Sequence, residues 1–213
     1  MCGCDIKTNI QAKDLGIVFD STMKYETHIN PVCRTCFFHI SRIWKIRKCL
    51  TQEATQALVQ ANIISRLDYC NSLYYGLSTS LRDRLQRVQN AAARVIVKAG
   101  KQEHITPVLK RLHWLPVEHR INYKIQLLTY KILNGLAPSY LCDLIDQYHP
   151  TRVLRSQDQN QLQQCNYKLK AYGGRSFQVA APKLWNTLPV TIRTSQSLSH
   201  FKSSPKTFHF KLA

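Results

Sequence analysis

Acidic residues are scarce in this sequence. Its 213 residues include 12 Asp and Glu against 30 Lys and Arg, which gives a formal net charge of +18. A charge of this size repels itself unless a polyanion or an acidic surface offsets it, so nucleic acid is the first partner to consider. Both halves of the chain carry the excess. It therefore predicts a binding surface built into folded segments rather than a basic tail.

Long apolar runs are also absent. No stretch approaches the roughly 20 apolar residues that a membrane-spanning helix needs, and the first residues, MCGCDIKTNIQAKD, lack the apolar core of a secretory signal. The eight cysteines are irregularly spaced in a chain with 44% hydrophobic residues, enough for a core without disulfides. We therefore expect free thiols, no membrane partner, and an intracellular, reducing location in the nucleus or the cytoplasm.

The sequence holds none of the residue patterns that carry catalysis. It has no Gly-rich phosphate loop and no nucleophile elbow. Its few carboxylates are scattered, whereas a two-metal site needs Asp or Glu side chains that converge. Asp14 and Asp20 flank the first predicted strand without a further acidic partner. We expect no enzymatic activity, no resident cofactor and no small-molecule substrate.

A zinc site is the metal centre that the sequence suggests most directly. Cys33, Cys36 and His39 have the spacing C-x2-C-x2-H, and Cys2 and Cys4 are possible additional ligands. The first three lie within a predicted helix and share its apolar stripe, whereas structural zinc sites place paired cysteines on tight turns beside a matching second pair. We therefore expect no metal at these residues.

The hydrophobic pattern predicts a mainly α fold. A helical bundle follows one β-strand and precedes a smaller helical region and a poorly ordered tail. Residues 15–21, LGIVFDS, alternate like a strand that ends near Asp20 and has no obvious partner in the chain. From Lys24 the period becomes helical, and the predicted buried stripe consists of Cys33, Cys36, Phe37, Ile40, Ile43 and Trp44.

Two further helices complete the predicted bundle. Thr51 is a suitable N-cap for the second helix, and Gly76 is a suitable stop. Ser78 or Thr79 can cap the third helix, which is expected to end at Gly100. Its apolar positions, three or four residues apart, are Leu81, Leu85, Val88, Ala92 and Val95.

The second half of the chain has a weaker helical pattern. A short helix near residues 106–112 precedes a longer one that starts at Pro116 and ends near Gly135, and Pro138 begins another. The core face of the longer helix is expected to contain Ile121, Ile125, Leu128 and Ile132.

The last third of the chain contains a Gln-rich stretch and a short apolar cluster. The stretch, residues 156–164, is typical of an exposed linker, and residues 171–190 predict a short helix pinned by the cluster. Pro205 is expected to break a helix in the tail. The predicted regions are 1–23, a strand; 24–100, the three-helix unit; 101–150, a helical region; 151–170, a linker; and 171–213, a partly disordered segment.

Basic residues form stripes beside the apolar seams when each helix is turned by 100° per residue. Such side chains can pack their stems at the rim of a core and neutralise successive phosphates with their heads. A solubilising face usually mixes both signs, but these stripes contain no acids. The alternative is that each stripe is simply a solvated face. The candidate nucleic-acid-binding residues are Arg34, Lys45 and Lys48 on the first helix, Arg84, Arg87, Arg94 and Lys98 on the third, and Arg120, Lys124 and Lys131 on the helix after Pro116.

Aromatic and histidine residues give weaker signals. Tyr69, Tyr74 and Tyr75 are candidates for stacking on bases, although aromatic residues more often belong to a core. His113 and His119 are six residues apart with a proline between them, which fits neither a metal-ligand pair nor a catalytic triad. We expect both to be ordinary surface or core histidines.

Six segments give the chain a resemblance to a known family. They are LGIVFDS, SRLDYCNSLYYG, LQRVQNAAARVI, HITPVLKRLHWLPVEHRINYKI, NGLAPSYL and RSFQVAAPKLWNTLP. In this order they resemble the carboxy-terminal part of reverse transcriptases from non-LTR, LINE-type, jockey-like retrotransposons, and the resemblance covers nearly the whole chain.

The resemblance implies a function for each region. LGIVFDS is similar to the last strand of the polymerase palm, and residues 25–100 are similar to the thumb, which holds the template-primer duplex. The family's aromatic-Ala-Asp-Asp box, which binds the catalytic magnesium, lies upstream of that strand and is not in this sequence. The family therefore implies a truncated fragment that binds RNA or an RNA-DNA duplex, with the upstream polymerase portion as a further partner.

Three hypotheses follow from these observations. In the first, the chain retains sequence-nonspecific affinity for RNA or an RNA-DNA duplex. In the second, it is a helical protein-interaction module or an inert translated fragment. In the third, it is one end of a longer chain that is a complete polymerase.

Overall fold

A computed structural model of the chain describes residues 9–100, 102–148, 160–169 and 172–212. Within these ranges the protein is mostly helical, as the sequence predicts. Contacts divide the chain into two compact units. The first unit contains the residues up to Leu67 together with Leu77–Lys98, and the second contains Asp68–Gly76 and the residues from Ala99 onward.

The first unit begins with a β-hairpin. Strand β1, Gln11–Asp14, pairs antiparallel with strand β2, Ile17–Asp20. Leu15 and Gly16 form the turn, with φ of +45° and +84°, the two positive values that a tight type I′ turn requires. The prediction of a single unpaired strand that begins at Leu15 is therefore wrong. The partner was missed because β1 is fully exposed and so has no apolar alternation.

Helix α1, Glu26–Ile46, follows the hairpin. The Asp20 carboxylate accepts hydrogen bonds from the backbone N–H groups of Lys24 at 3.0 Å and Tyr25 at 2.7 Å, which fixes the chain just before the helix. Burial raises the pKa of Asp20, but these bonds outweigh it and hold that pKa below its ordinary value. The buried face of α1 contains Ile29, Cys33, Cys36, Ile40 and Ile43.

Phe37 and Trp44 do not belong to that buried face, which corrects the predicted stripe. Their exposed fractions are 44% and 54%. At 100° per residue both lie about 60–80° from the centre of the buried face, so a neighbouring helix covers them only in part. The predicted stripe included them because spacing alone does not determine where the buried face of a helix ends.

Helix α2, Gln52–Val59, begins at the predicted N-cap. The Thr51 hydroxyl accepts a hydrogen bond from the backbone N–H of Ala54 at 3.2 Å. The helix continues through a π-helical turn, Gln60–Ile64, into α3, Ser65–Asp68, and so ends well before Gly76, the predicted stop.

Helix α4, Thr79–Val97, forms as its pattern predicts. All five apolar seam residues are buried, and Ser78 occupies the N-cap position. The helix ends at Lys98 rather than at Gly100, because Lys98 itself adopts the left-handed conformation that terminates it, with φ of +58°.

The second unit contains α5, Thr106–Arg111, and α6, Val117–Leu133. Three of the four predicted core residues of α6 are buried, and Leu128 is half-buried. The sequence did not indicate that Gln126 and Thr129 are completely buried on the same helix. The helix expected after Pro138 is instead a 3-10 segment, Ser139–Leu144.

The Gln-rich stretch is not simply an exposed linker where it is described. Residues 156–159 lie outside the described ranges, but Leu162 is 2% exposed. The Leu162 backbone N–H donates to the Asn186 side-chain oxygen, and its carbonyl accepts from the Asn186 amide, both at 2.9 Å. An isolated β-bridge joins Gln147 to Leu162. The sequence does not reveal this attachment, because the segment is held by one leucine and by backbone hydrogen bonds, which leave no apolar pattern.

Three helices follow: α7, Phe177–Asn186; α8, Val190–Arg193; and α9, Leu198–Leu212. The short helix predicted in residues 171–190 is thus confirmed. The predicted break at Pro205 is wrong, because α9 runs through it. Pro205 lies on the buried face with Phe201 and His209, so packing offsets the missing hydrogen bond, which otherwise costs about 3 kcal/mol.

The cysteines agree with a simpler expectation. All six cysteines in the described ranges are free thiols, as expected. Among the described helices, none is both long enough and apolar enough to cross a membrane.

Candidate nucleic-acid interface

Helices α1 and α4 pack side by side in the first unit and run in the same direction. Near their first turns, an Arg84 guanidinium N–H donates to the Asn30 side-chain oxygen. Just after α1 ends, Arg47 donates to the carbonyls of Val95 at 2.9 Å and Ile96 at 2.8 Å, near the end of α4. The two basic stripes of this unit therefore lie along one pair of helices.

Most of the predicted residues on these helices are exposed. Arg94 is half-buried, and the other six are exposed and form no ion pair within the described ranges. They are Arg34, Lys45, Lys48, Arg84, Arg87 and Lys98. Lys48 lies in a 3-10 turn after α1, and Lys98 is the residue that ends α4, so both lie at helix ends rather than within the stripes.

Two of these arginines, Arg84 and Arg87, affect the pKa of Cys33 on α1. Burial raises the pKa of the Cys33 thiol, while the positive charges of Arg84 and Arg87 act in the opposite direction. The positive charges of these two α4 residues therefore reach a buried thiol of α1. Burial also raises the pKa of the neighbouring Cys36 thiol to about 11, so both thiols are protonated at neutral pH.

Two half-exposed aromatic rings lie on the α4 side of α1. Asn30, Phe37 and Trp44 are seven residues apart, so they follow one line along the helix, and Asn30 on that line contacts α4. Phe37 and Trp44 thus lie on the line of α1 that begins at the contact with Arg84. The apolar spacing assigned both residues to the core; their position at the edge of the apolar stripe was the available signal.

Arg47 is buried, in contrast to the predicted basic residues. It is 6% exposed, and its guanidinium also donates to the Leu50 carbonyl at 2.8 Å. Its hydrogen bonds thus satisfy carbonyls at the C-terminal end of α4, where the helix dipole also favours a cation. Arg47 stabilises the α1–α4 pair and does not offer its charge to a ligand.

The candidates of the second unit are in a different environment. Arg120 forms a two-point ion pair with Asp68, in which Nε donates to Oδ1 at 2.9 Å and Nη2 donates to Oδ2. The basic stripe of α6 contains no acidic residue of its own, but Arg120 in that stripe pairs with an acidic residue from another segment. Lys124 is exposed and Lys131 is half-buried.

The three tyrosines predicted as stacking candidates differ in exposure. Tyr74 is 2% exposed and belongs to the core of the second unit, and Tyr75 is half-buried. Tyr69 is 50% exposed. Tyr69 is therefore the most accessible of the three rings to a ligand.

His119 belongs to a buried polar chain in the second unit. The Gln126 amide donates to the Leu184 carbonyl at 3.0 Å, so its oxygen accepts from His209 Nε2 at 2.8 Å. His209 Nδ1 is then the acceptor for His119 Nδ1–H at 3.1 Å. Burial, reinforced by His119, lowers the pKa of His209 to about 4, and both rings are neutral at pH 7.

The described residues contain no group of three His, Cys, Asp or Glu side chains placed to hold a metal ion. Cys33 and Cys36 are on the buried face of α1, while His39 is half-buried. Cys2 and Cys4, the further ligands considered from sequence, lie outside the described ranges.

Comparison of the chain with protein-family models, with curated proteins and with solved structures found no match.

Proposed function

We propose that the chain binds RNA or an RNA-DNA duplex, without sequence specificity, through the surface formed by α1 and α4 in the first unit. The single observation that carries the proposal is the set of six exposed basic residues along this helix pair, none of which has an acidic partner in the described ranges. Unpaired surface cations of one sign attract a polyanion and release its counterions.

The dimensions of this surface suit a nucleic-acid backbone. From Arg84 to Lys98 the axis of α4 rises by about 21 Å at roughly 1.5 Å per residue. One strand of a duplex places a phosphate about every 3.4 Å along its axis, so this length corresponds to about six phosphates. The contacts are to the backbone, which explains why no sequence preference is expected.

The aromatic rings add a second element to the proposal. Phe37 and Trp44 are half-exposed on the line of α1 that also contains Asn30, the residue that Arg84 contacts. Exposed aromatic rings on a basic surface stack on unpaired bases. A duplex end or a short single-stranded overhang offers such bases. We therefore expect a duplex with an overhang to bind more tightly than a blunt one.

The resemblance in sequence supports a more specific form of the proposal. In this form the chain is the end of the palm, the thumb and the downstream region of a non-LTR retrotransposon reverse transcriptase. The polymerase chemistry and its magnesium then belong to residues upstream, and the location is intracellular, in the nucleus or the cytoplasm. Reading the genomic frame upstream of Met1 for an Asp-Asp box tests this form directly.

The binding experiment uses fluorescence anisotropy with a labelled RNA-DNA duplex at several salt concentrations. Wild-type affinity is expected to fall steeply between about 50 and 200 mM salt. Changing Arg84, Arg87 and Arg94 together to Glu is expected to remove most of the binding, because three cations become three anions on one helix face.

The matched control makes the same change in charge elsewhere. Lys168, Lys202 and Lys206 are exposed residues of the second unit, and K168E/K202E/K206E alters the net charge equally. The control is expected to retain most of the affinity. An equal loss in both triple variants would show that total charge, rather than the α1–α4 surface, is responsible.

A second candidate function is supported by the apolar residues exposed on α1. Phe38, Trp44 and Ile46 have exposed fractions of 54%, 54% and 49%, and exposed apolar side chains of this size can contact a protein partner. In this case the chain is a helical interaction module. A chain that self-associates in analytical ultracentrifugation and ignores the duplex at low salt would favour this function over the first.

A further inference from the structure

The second unit contains a cavity of about 250 Å³ that none of the functions above uses. Its walls come from the end of α6, the Gln-rich stretch, and the segment that begins at Arg193. The described side chains that line it are apolar or neutral and polar, apart from the charged Arg193. They are Leu133, Asn134, Gln147, Asn160, Gln161, Leu162, Trp185, Arg193, Thr194, Ser195 and Gln196.

Arg193 is buried with two of its three guanidinium nitrogens unsatisfied by the described residues. It is 7% exposed, and neither Nε nor Nη1 has a partner in the described part of the chain. Arg47, at 6% exposed, is equally buried, but its Nε, Nη1 and Nη2 each donate to a carbonyl. The contrast matters because a buried cation without partners is one of the most destabilising features a fold can contain.

The lining determines which ligand would satisfy this arginine. Among the residues that the structure describes, no Asp or Glu lines the cavity, and none of them neutralises the positive charge from within. Burial without a counter-charge lowers the pKa of Arg193, which is the expected sign of a poorly solvated cation. An anion entering the cavity would remove both the charge imbalance and the unsatisfied N–H groups.

The geometry favours an anion with several oxygen atoms. The two unsatisfied nitrogens, Nε and Nη1, are on different sides of the guanidinium, and two amide side chains stand at the exposed rim, on Gln147 and Gln196. Donors that approach from several directions suit the terminal oxygens of a phosphate better than a single planar carboxylate. A cavity of this volume accommodates a small phosphate ester rather than a polymer.

We propose that this cavity is a binding site for a phosphate monoester, with Arg193 as the residue that holds the phosphate group. The site is separate from the α1–α4 surface and does not depend on it. The phosphate has two sources, a free small ester or the terminal phosphate of a nucleic-acid strand, and both present the same group to Arg193.

Thermal unfolding at constant ionic strength, with sodium phosphate replacing sodium chloride, tests the proposal. The melting temperature of the wild type is expected to rise saturably by about 5 °C as phosphate reaches a large excess over its dissociation constant. R193M keeps the aliphatic stem but removes the charge. It is expected to melt higher than the wild type in chloride, because a buried unpaired cation is gone, and to lose the response to phosphate.

Two further variants keep the result decisive. R193K retains a positive charge with fewer donors, and we expect it to show a weakened phosphate response even if R193M does not fold. R47M, which alters a buried arginine outside the cavity, should keep the full response. The proposal is overturned if phosphate raises the melting temperature of R193M or R193K as much as that of the wild type, or if the wild type does not respond.

The same assay distinguishes the two sources. Ribose 5-phosphate is compared with ribose, and a short oligonucleotide with a 5′ phosphate is compared with its 5′-hydroxyl form. A response to ribose 5-phosphate alone identifies a small ester, and a response to the phosphorylated oligonucleotide as well identifies a strand end. If neither gives more than its unphosphorylated form, the proposed site is wrong.

Discussion

Arg47 shows how a single residue can join two helices. Its three guanidinium nitrogens donate to the carbonyls of Val95, Leu50 and Ile96 at 2.8–2.9 Å. Hydrogen bonds that involve a charged donor are stronger than neutral ones, and buried carbonyls that lose a donor keep their desolvation cost. The C-terminal end of α4 therefore depends on one side chain from the turn after α1.

R47M is expected to lower the free energy of unfolding by about 3 kcal/mol, because two buried carbonyls and one partly buried carbonyl lose their donor. Urea denaturation followed by circular dichroism measures the loss. R34M, at an exposed position on α1, should change stability by no more than about 0.5 kcal/mol. Similar losses in the two variants would contradict the role of Arg47.

The chain of His119, His209 and Gln126 makes stability depend on pH. The pKa of His209 is about 4 in the folded protein, against an ordinary value of 6.5, because of burial and then of His119. Below pH 6.5 the unfolded chain therefore binds a proton that the folded chain does not. The contribution of His209 is complete above pH 6.5 and is lost as the pH falls toward 4.

The expected loss across this range is on the order of 3 kcal/mol for His209, at about 1.4 kcal/mol per pH unit of separation. Urea unfolding between pH 7 and 4 measures it as the difference between the wild type and H209Q, whose profile should be flatter. Carboxylates titrate in both proteins and cancel in that difference. H104Q, at an exposed histidine, should keep the wild-type profile; an equally flat profile there would refute the assignment.

At the scale of elements, α9 shows how packing overrides a local signal. Phe201 is fully buried, its ring stacks on Tyr130 with centroids 4.2 Å apart, and Trp185 lies on it at 5.7 Å. These aromatic contacts hold α9 against α6 and α7. They outweigh the roughly 3 kcal/mol that a proline costs inside a helix, which is why Pro205 does not break α9.

F201A is expected to destabilise the protein by about 3–5 kcal/mol, because it removes the ring shared by three helices and leaves a cavity. Loss of near-ultraviolet circular dichroism at lower urea concentration measures the effect. F38A removes the same side chain from an exposed position and is expected to stay within about 0.5 kcal/mol of the wild type. A small effect of F201A would mean that α9 is not anchored by this stack.

For the whole molecule, the net charge of +18 is a cost as well as a binding device. Like charges on a compact chain repel one another, and dissolved salt screens the repulsion. The 12 carboxylates cannot offset 30 basic residues, and one of them, Asp68, is paired with Arg120. Salt should therefore act oppositely on the two properties, weakening nucleic-acid binding while stabilising the fold.

The melting temperature is accordingly expected to rise by a few degrees between about 50 and 500 mM sodium chloride, measured by differential scanning calorimetry. K168E/K202E/K206E, in which three positive charges become negative and the net charge falls by about six, should start at a higher melting temperature and respond less to salt. A melting temperature that is insensitive to salt in both proteins would show that self-repulsion is not significant.

The sequence by itself determined the helical class, the apolar seam of α4, the Thr51 cap and the basic surfaces. These features depend on neighbours three or four residues away, and the sequence shows such short-range spacing directly. The tertiary structure decided what distant segments do to one another. It paired Arg120 with Asp68, buried Arg47 among carbonyls and left Nε and Nη1 of Arg193 without a partner among the described residues. An arginine's environment is set by residues that only folding brings near.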